Sequence, residues 1–169
     1  MNVIETERLG LREVTEADAA FILELLNDPD FVRNVADRGL RTLEDARRFI
    51  SERLVESYRS FGFGFWLVET KDAKEPAGIC GLVSRDALPG VDVGYAFLPQ
   101  FRSRGYAYES ASAVVRYARD VAGLKRLYAI VNPANAVSIR VLEKLGMKFE
   151  RMVRLADDEP EIKLFAADL

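Results

Sequence analysis

The chain has 169 residues, 49% of them hydrophobic, which is enough to build one domain with an ordinary core. Its formal net charge of −3 argues against general binding of a polyanion such as nucleic acid and leaves room only for a local basic site. The chain has no histidine and a single cysteine, which excludes an intrachain disulfide, His-based catalysis and the usual zinc sites. We therefore predict no metal ligands.

Hydropathy and the N-terminal sequence favour a cytoplasmic protein. No window approaches the roughly eighteen apolar residues that a membrane-spanning helix needs. The N-terminal residues MNVIETERLGLRE lack the basic and apolar segments of a secretion signal. We expect no membrane partner, and the sequence leaves a homodimer open.

The N-terminal part of the chain predicts one strand followed by two helices. Arg8–Val14 alternates apolar and polar residues like a half-buried strand, and Thr15 and Asp18 have N-cap spacing before a helix in DAAFILELLND. A loop is expected around DPD. Thr42 and Asp45 then have capping-box spacing at the start of a long amphipathic helix, TLEDARRFISERLVESYRSFG.

From Gly64 onward the sequence predicts mostly strands. GFWLVET, AGICGLVSR and VDVGYAFLP are apolar runs separated by turn residues, which predicts three consecutive antiparallel strands. A helix ending at Gly123, a strand RLYAIV, a helix closing on Gly146 and a final hairpin follow. The order βααβββαβαββ predicts a mixed α/β fold in one domain over 1–169: a mostly antiparallel, twisted sheet of about seven strands with helices on both faces.

The stretch PQFRSRGYAYESA, Pro99–Ala111, has the chemistry of an anion site. A glycine between a strand and a helix lets the backbone approach a ligand, and the first N–H groups of the helix carry partial positive charge. Arg102 and Arg104 add two full charges, which favours a pyrophosphate over a single carboxylate. A Walker loop and a three-glycine dinucleotide fingerprint are both absent. The alternative is that the arginines are a solvated surface pair.

Three motifs resemble one family of enzymes. RSRGYA is similar to the Arg/Gln-x-x-Gly-x-Gly/Ala acetyl-CoA signature of the GNAT superfamily of N-acetyltransferases. TERLGLREVTEADA, VGYAFLPQFRSRGYAYES and NPANAVSIRVLEKLGM resemble, in order, its RimJ/RimL-like branch, the ribosomal-protein alanine N-acetyltransferases. The resemblance implies a GNAT fold and transfer of an acetyl group from acetyl-CoA to a primary amine. The acceptor would be a protein N-terminus or a small molecule, attacking directly in a ternary complex.

The resemblance also implies where acetyl-CoA lies. In the family the fourth and fifth strands splay apart, and the pantetheine arm occupies the gap along backbone groups that correspond here to Phe97 and Leu98. Asn135 is the expected ligand of the pantetheine amide. The pyrophosphate is expected among Arg102, Ser103, Arg104, Gly105, Tyr106 and Ala107.

The resemblance assigns catalytic roles to Asp92 and Ser138. Asp92 matches a position at which family members hold a catalytic glutamate, and it would deprotonate the amine directly or through a water. Ser138 would donate a hydrogen bond to the departing thiolate, because the tyrosine expected as general acid is replaced by Leu142. Tyr95 and Glu109 are further candidates. The alternatives are a surface carboxylate at Asp92 and simple helix capping by Asn135 and Ser138.

Two other functions stay open at this stage. A non-catalytic acyl-CoA-binding or sensing module would keep the anion site without working acid–base groups, and the missing tyrosine favours it. An enzyme that binds a nucleotide such as ATP at the same loop is the second. The acidic segment ADDEPE is interpreted as a solvated turn or as a selector of cationic amines.

Overall fold

The strands form one open sheet. The computed structural model describes all 169 residues and contains eight strands in the order β1-β2-β3-β4-β5-β6-β8-β7. Neighbouring strands are antiparallel except β5 and β6, which are parallel. The bounds are β1 Asn2–Glu5, β2 Leu9–Glu13, β3 Phe65–Thr70, β4 Pro76–Val83, β5 Asp92–Phe97, β6 Arg126–Val131, β7 Lys148–Val153 and β8 Ile162–Asp168. The predicted mixed sheet is confirmed, with one additional strand, because the short edge strand β1 was not predicted.

The helices account for most of the remaining chain. No helix of the structure has the length and hydropathy needed to span a membrane. A π-helical segment, Ile50–Val55, joins α3 to α4, and short 3₁₀ turns lie at Glu16–Asp18 and Pro99–Phe101. The α-helices are α1 Ala19–Leu26, α2 Pro29–Asn34, α3 Leu43–Phe49, α4 Glu56–Phe61, α5 Tyr106–Asp120 and α6 Ala136–Lys144.

Helices cover both faces of the sheet, as predicted. Trp66 and Tyr95 are cross-strand neighbours of Cys80, so the three side chains share a face, and Trp66 packs edge-on against Tyr117 of α5 at 5.0 Å. Residues one position along the strands, such as Phe65, point to the opposite face, where α1 and the α3–α4 region lie. Cys80 is fully buried in this core, as expected.

Helix α2 occupies the segment that the sequence predicted as a loop. Pro29 is its first residue, and the Asp28 carboxylate accepts a hydrogen bond from the Phe31 N–H at 3.3 Å. An Asp-Pro pair is a normal helix start, so the signal was present. At six residues, however, the helix is too short to show a 3.6-residue period.

Candidate active site

Strands β5 and β6 separate soon after they meet. They pair at a single position, Asp92 with Tyr128, where the Tyr128 N–H donates to the Val91 carbonyl at 3.0 Å. A cavity of about 130 Å³ lies at this opening, lined by both strands and by residues of α1, α2 and α6. The sheet is therefore open at the position where the family resemblance implied a gap.

Backbone groups of β5 face the gap at alternate residues. The Leu98 N–H donates to the Ala77 carbonyl of β4 at 3.0 Å. Because successive residues of a strand direct their backbone groups to opposite sides, those of Phe97 and Tyr95 point away from β4. The Leu98 carbonyl in turn accepts from the Phe101 N–H at 3.0 Å. Both backbone groups of Leu98, which were expected along the pantetheine arm, are thus bonded within the chain. The strand residues whose backbone groups face the gap are Tyr95 and Phe97.

The loop before α5 presents a row of free backbone donors. Ser103 and Gly105 both have positive φ, 61° and 81°, and Gly105 is the N-cap of α5. The N–H groups of residues 103–108 donate no hydrogen bond within the chain, and the Glu109 N–H, which bonds to the Gly105 carbonyl at 3.0 Å, is the first that does. Left-handed residues beside a helix N-terminus gather N–H groups into a concave anion site.

The two arginines of this loop have different surroundings. The Arg102 guanidinium donates to the Asp28 and Asp30 carboxylates, each at 2.6 Å, and through Nε to the Phe97 carbonyl at 3.0 Å. The Arg104 guanidinium lies over the Phe101 ring, 5.7 Å from its centroid, and makes no ion pair. Arg102 is therefore neutralised by carboxylates of the α2 region, whereas Arg104 is the cation of the predicted pair that is free to meet an anion.

Arg8 is a cation beside this loop that sequence reasoning did not single out. Its guanidinium stacks on the Tyr106 ring at 4.7 Å and bonds through Nε to the Glu109 carboxylate at 2.7 Å. A Cβ atom on Gly105 would lie 3.2 Å from an Arg8 nitrogen. No local pattern could reveal this proximity, because Arg8, immediately before β2, is far from the loop in sequence.

A pair of hydroxyl groups lies at the cavity wall, close to the N-terminus of α6. The Tyr95 hydroxyl is 2.8 Å from Ser138 Oγ, and burial raises the pKa of Tyr95 to about 12, which keeps the phenol protonated at neutral pH. Asn135 caps α6 by accepting from the Ser138 N–H at 3.2 Å through Oδ1. All three residues line the cavity together with Leu142. The structure thus brings two of the predicted residues, Asn135 and Ser138, to Tyr95.

Asp92 lies apart from this group. Its side chain is 1% exposed, Oδ1 accepts from Arg85 Nε at 3.1 Å, and Oδ2 has no hydrogen-bond partner. Burial raises the pKa of Asp92 to about 6, although the Arg85 charge and hydrogen bond oppose that shift. Arg85 lines the cavity, whereas Asp92 does not. The predicted base is therefore connected to the cavity wall only through Arg85.

Comparison with known proteins identifies the family. The model described as "Acetyltransferase (GNAT) domain" matches residues 8–148. The uncharacterized protein YkkB of Bacillus subtilis is 30% identical over 152 residues, which cover 88% of this chain and 87% of YkkB. The uncharacterized N-acetyltransferase YoaA of the same organism is 29% identical over 90% of this chain and 86% of its own length.

A solved structure agrees at the level of the fold. RimL, a ribosomal L7/L12 α-N-protein acetyltransferase in complex with coenzyme A, superimposes with a TM-score of 0.84 at 17% identity, over 100% of this chain and 98% of RimL. At that identity the likeness is one of architecture. Together with the matched domain and the curated relatives, these findings confirm the predicted resemblance: the chain belongs to the GNAT family and is an acetyltransferase.

Proposed function

We propose that this acetyltransferase moves the acetyl group of acetyl-CoA to a primary amine, either a protein N-terminus or a small molecule, by direct attack in a ternary complex. The proposal depends above all on the six successive unpaired N–H groups of residues 103–108, which lie beside the opening between β5 and β6. A site of this kind fits a diphosphate with an extended arm.

The residues present fit acetyl-CoA, which would supply an acetyl group activated as a thioester. The N–H groups of residues 103–108, with Arg104, would hold the diphosphate. The Tyr95 carbonyl and the Phe97 N–H would bind the pantetheine arm as a neighbouring strand does, whereas the Phe97 carbonyl already accepts from Arg102 Nε. The Asn135 amide nitrogen, which has no partner in the chain, would bind the arm near its sulfur end.

Two sites of proton transfer follow from this arrangement. Tyr95 and Ser138 would deliver a proton to the departing thiolate, since their hydroxyls are already 2.8 Å apart. The Tyr95 N–H would stabilise negative charge developing on the acyl oxygen. Asp92 does not line the cavity, so it would accept the proton of the amine only through a water that reaches its buried, unpartnered Oδ2 past Arg85; a pKa of about 6 is suited to a base at neutral pH.

Calorimetric titration with acetyl-CoA, matched to a thiol-release assay over a panel of amines, tests this proposal. We expect binding without added Mg²⁺, turnover with at least one amine, and a roughly tenfold weaker affinity for Gly105→Ala. At φ 81° a side chain costs about 1–2 kcal/mol in that backbone conformation, and its Cβ would also crowd Arg8.

The matched control is Gly123→Ala, beyond the other end of α5. Gly123 has φ 70° and no atom within 4 Å of an added Cβ, so the variant carries similar backbone strain away from the proposed diphosphate site. Its acetyl-CoA affinity should stay at the wild-type value. Absence of any affinity for coenzyme A would overturn the proposal, and tight binding without turnover of any amine would instead identify a sensor.

A further inference from the structure

The charged residues that line the cavity are both arginines. Among its 21 lining residues, Arg38 and Arg85 carry full charges, and no carboxylate is present. Arg38 lies in the segment after α2 and Arg85 in the segment after β4, and the two charges are close enough to affect each other. A cavity built for a cationic amine alone would be expected to show the opposite charge.

The two guanidinium groups have donors to spare. Arg38 forms no ion pair or hydrogen bond within the chain, and Arg85 uses only Nε, which donates to Asp92. The Arg38 side chain is exposed, yet partial desolvation and the nearby positive charges of Arg85 and Arg53 lower its pKa, while only Glu159 acts in the other direction. Positive charge at this wall is therefore only partly balanced.

The acidic segment does not supply the missing counter-charge inside the cavity. Within ADDEPE, the Glu161 carboxylate lies 3.6 Å from Arg154, and the Glu159 carbonyl accepts from Arg154 at 2.7 Å. None of its residues lines the cavity. The expectation that this segment selects cationic amines thus has no support from the cavity lining.

Guanidinium groups bind carboxylates through paired hydrogen bonds, and a bound anion would relieve the repulsion between two neighbouring cations, the exposed Arg38 and the half-buried Arg85. We propose that the acceptor is an amine that also carries a carboxylate, an inference that rests on the proposed function. Arg38 and Arg85 bind the carboxylate, and the amine points toward the opening between β5 and β6. A free amino acid and a peptide with an acidic residue at or near its N-terminus share this chemistry.

The first test compares acceptors with and without the carboxylate, with rates expressed per unprotonated amine because an α-amide also lowers the pKa of its amine. One arm uses amino acids against their α-amides, and the other uses amidated peptides beginning with Glu against those beginning with Gln. In the arm whose acceptors suit the site, the neutral acceptor should have a kcat/KM roughly 10- to 100-fold lower than the charged one, because it loses a charge-assisted hydrogen bond. Preference in the first arm identifies small acceptors, and preference in the second identifies peptides.

The second test changes the arginines. Arg38→Gln and Arg85→Gln should lower kcat/KM for carboxylate acceptors by a similar factor and leave acetyl-CoA affinity unchanged. The matched control, Arg47→Gln, removes a half-exposed arginine of α3 outside the cavity lining and should change neither quantity. If Arg85→Gln fails to fold because Asp92 is left buried without its partner, Arg38→Gln alone decides the question.

Calorimetry with the N-acetylated products and their amides, in the presence of coenzyme A, gives a readout that needs no turnover. Selective binding of the carboxylate product, lost in Arg38→Gln, is the expected result. Equal use of charged and neutral acceptors, or equal binding of both products, would overturn the inference while leaving the acetyl-CoA proposal intact. Failure of coenzyme A to bind would instead overturn the proposed function.

Discussion

Tyr95 contributes to the site through its main chain and its side chain. Its backbone groups face the gap between β5 and β6, and its hydroxyl lies 2.8 Å from Ser138. The family resemblance places a tyrosine on α6 at the position of Leu142, which here is 2% exposed and part of the core. The Tyr95 phenol of β5 lines the same cavity as Leu142, so the missing tyrosine does not by itself favour a non-catalytic module.

Removing the Tyr95 hydroxyl tests whether it is the proton donor. We expect Tyr95→Phe to lower kcat by at least about 100-fold, since positioned general acids contribute about that much, with acetyl-CoA affinity within a factor of about two. Ser138→Ala should have a smaller effect, and the double variant should be no slower than Tyr95→Phe if both hydroxyls serve one proton path. Steady-state kinetics with a good acceptor gives these values.

The control for that series is Tyr117→Phe, which removes a hydroxyl from a tyrosine of α5 that packs on Trp66, away from the cavity lining. It should retain wild-type kcat. A Tyr95→Phe enzyme with unchanged kcat would remove Tyr95 from the mechanism and leave thiolate protonation to solvent.

Local sequence signals were sufficient to place some candidate residues in the fold and not others. Gly105 and Asn135 stand at helix starts, where residue type and position carry the information. The partners of Arg102, the approach of Arg8 to Gly105 and the shared cavity wall of Arg38 and Arg85 all depend on distant segments meeting in space. No spacing rule in a single sequence reports such contacts.

Among the elements, α2 is bound by ion pairs from a distant segment of the chain. Asp28 caps its N-terminus, and Arg102 reaches across from the loop before α5 to bind both Asp28 and Asp30. Because α2 also contributes Phe31 and Asn34 to the cavity wall, Arg102 physically connects the proposed diphosphate loop to the acceptor side of the site. We infer that Arg102 positions α2.

Substitutions of the two arginines of the loop should have different effects on stability and on acetyl-CoA affinity. Arg102→Ala leaves the buried Asp28 carboxylate without its cation, so we expect a loss of about 1–3 kcal/mol in the free energy of unfolding. Arg104→Ala should leave stability unchanged but weaken acetyl-CoA binding roughly tenfold, with a shallower dependence on salt. Urea unfolding and calorimetry on both variants measure these effects. A loss of affinity without loss of stability in Arg102→Ala would instead make Arg102 a diphosphate ligand.

The long helix predicted from Thr42 is confirmed in extent but not in regularity. Its capping box forms, with Thr42 accepting from the Asp45 N–H at 3.0 Å and the Asp45 carboxylate accepting from the Thr42 N–H at 3.1 Å. Its buried face repeats every four residues, at Ala46, Ile50 and Leu54, which drifts by about 40° per step on a regular α-helix. The wider π turn over Ile50–Val55 reduces that drift and keeps the face on the core.

Across the whole molecule, the fold follows from periodic patterns that each element carries in its own residues. The meander β3–β5, the β6–α6 succession and the final hairpin all appear as predicted. The opening between β5 and β6 could not be derived from those patterns, because a strand that loses its neighbour for part of its length keeps the same apolar sequence. Resemblance to a family implied the opening, whereas periodicity alone did not.

The whole molecule also lacks histidine, so Asp92 is the buried group whose pKa, about 6, lies nearest neutrality. Between about pH 4 and pH 6 the unfolded Asp92 carboxyl is ionised while the folded one keeps its proton, so its contribution makes the folded state less stable as pH rises. The amide introduced by Asp92→Asn cannot ionise in either state. We expect the stability of the wild type relative to that variant to fall over this range by an amount on the order of 3 kcal/mol, and to be constant above it.

Urea unfolding at several pH values measures this difference, and Asp86→Asn, an exposed substitution of the same charge next to Arg85, is the control that should not reproduce it. If Asp92 is also the base, kcat should rise through about pH 6 in the wild type, and Asp92→Asn should lose that rise. A stability difference without a change in the rate profile would leave Asp92 as the partner of Arg85 only. An acceptor held by Arg38 and Arg85 would then have to lose its proton to solvent, which predicts that the pH profile of kcat follows the pKa of the acceptor amine from one substrate to the next.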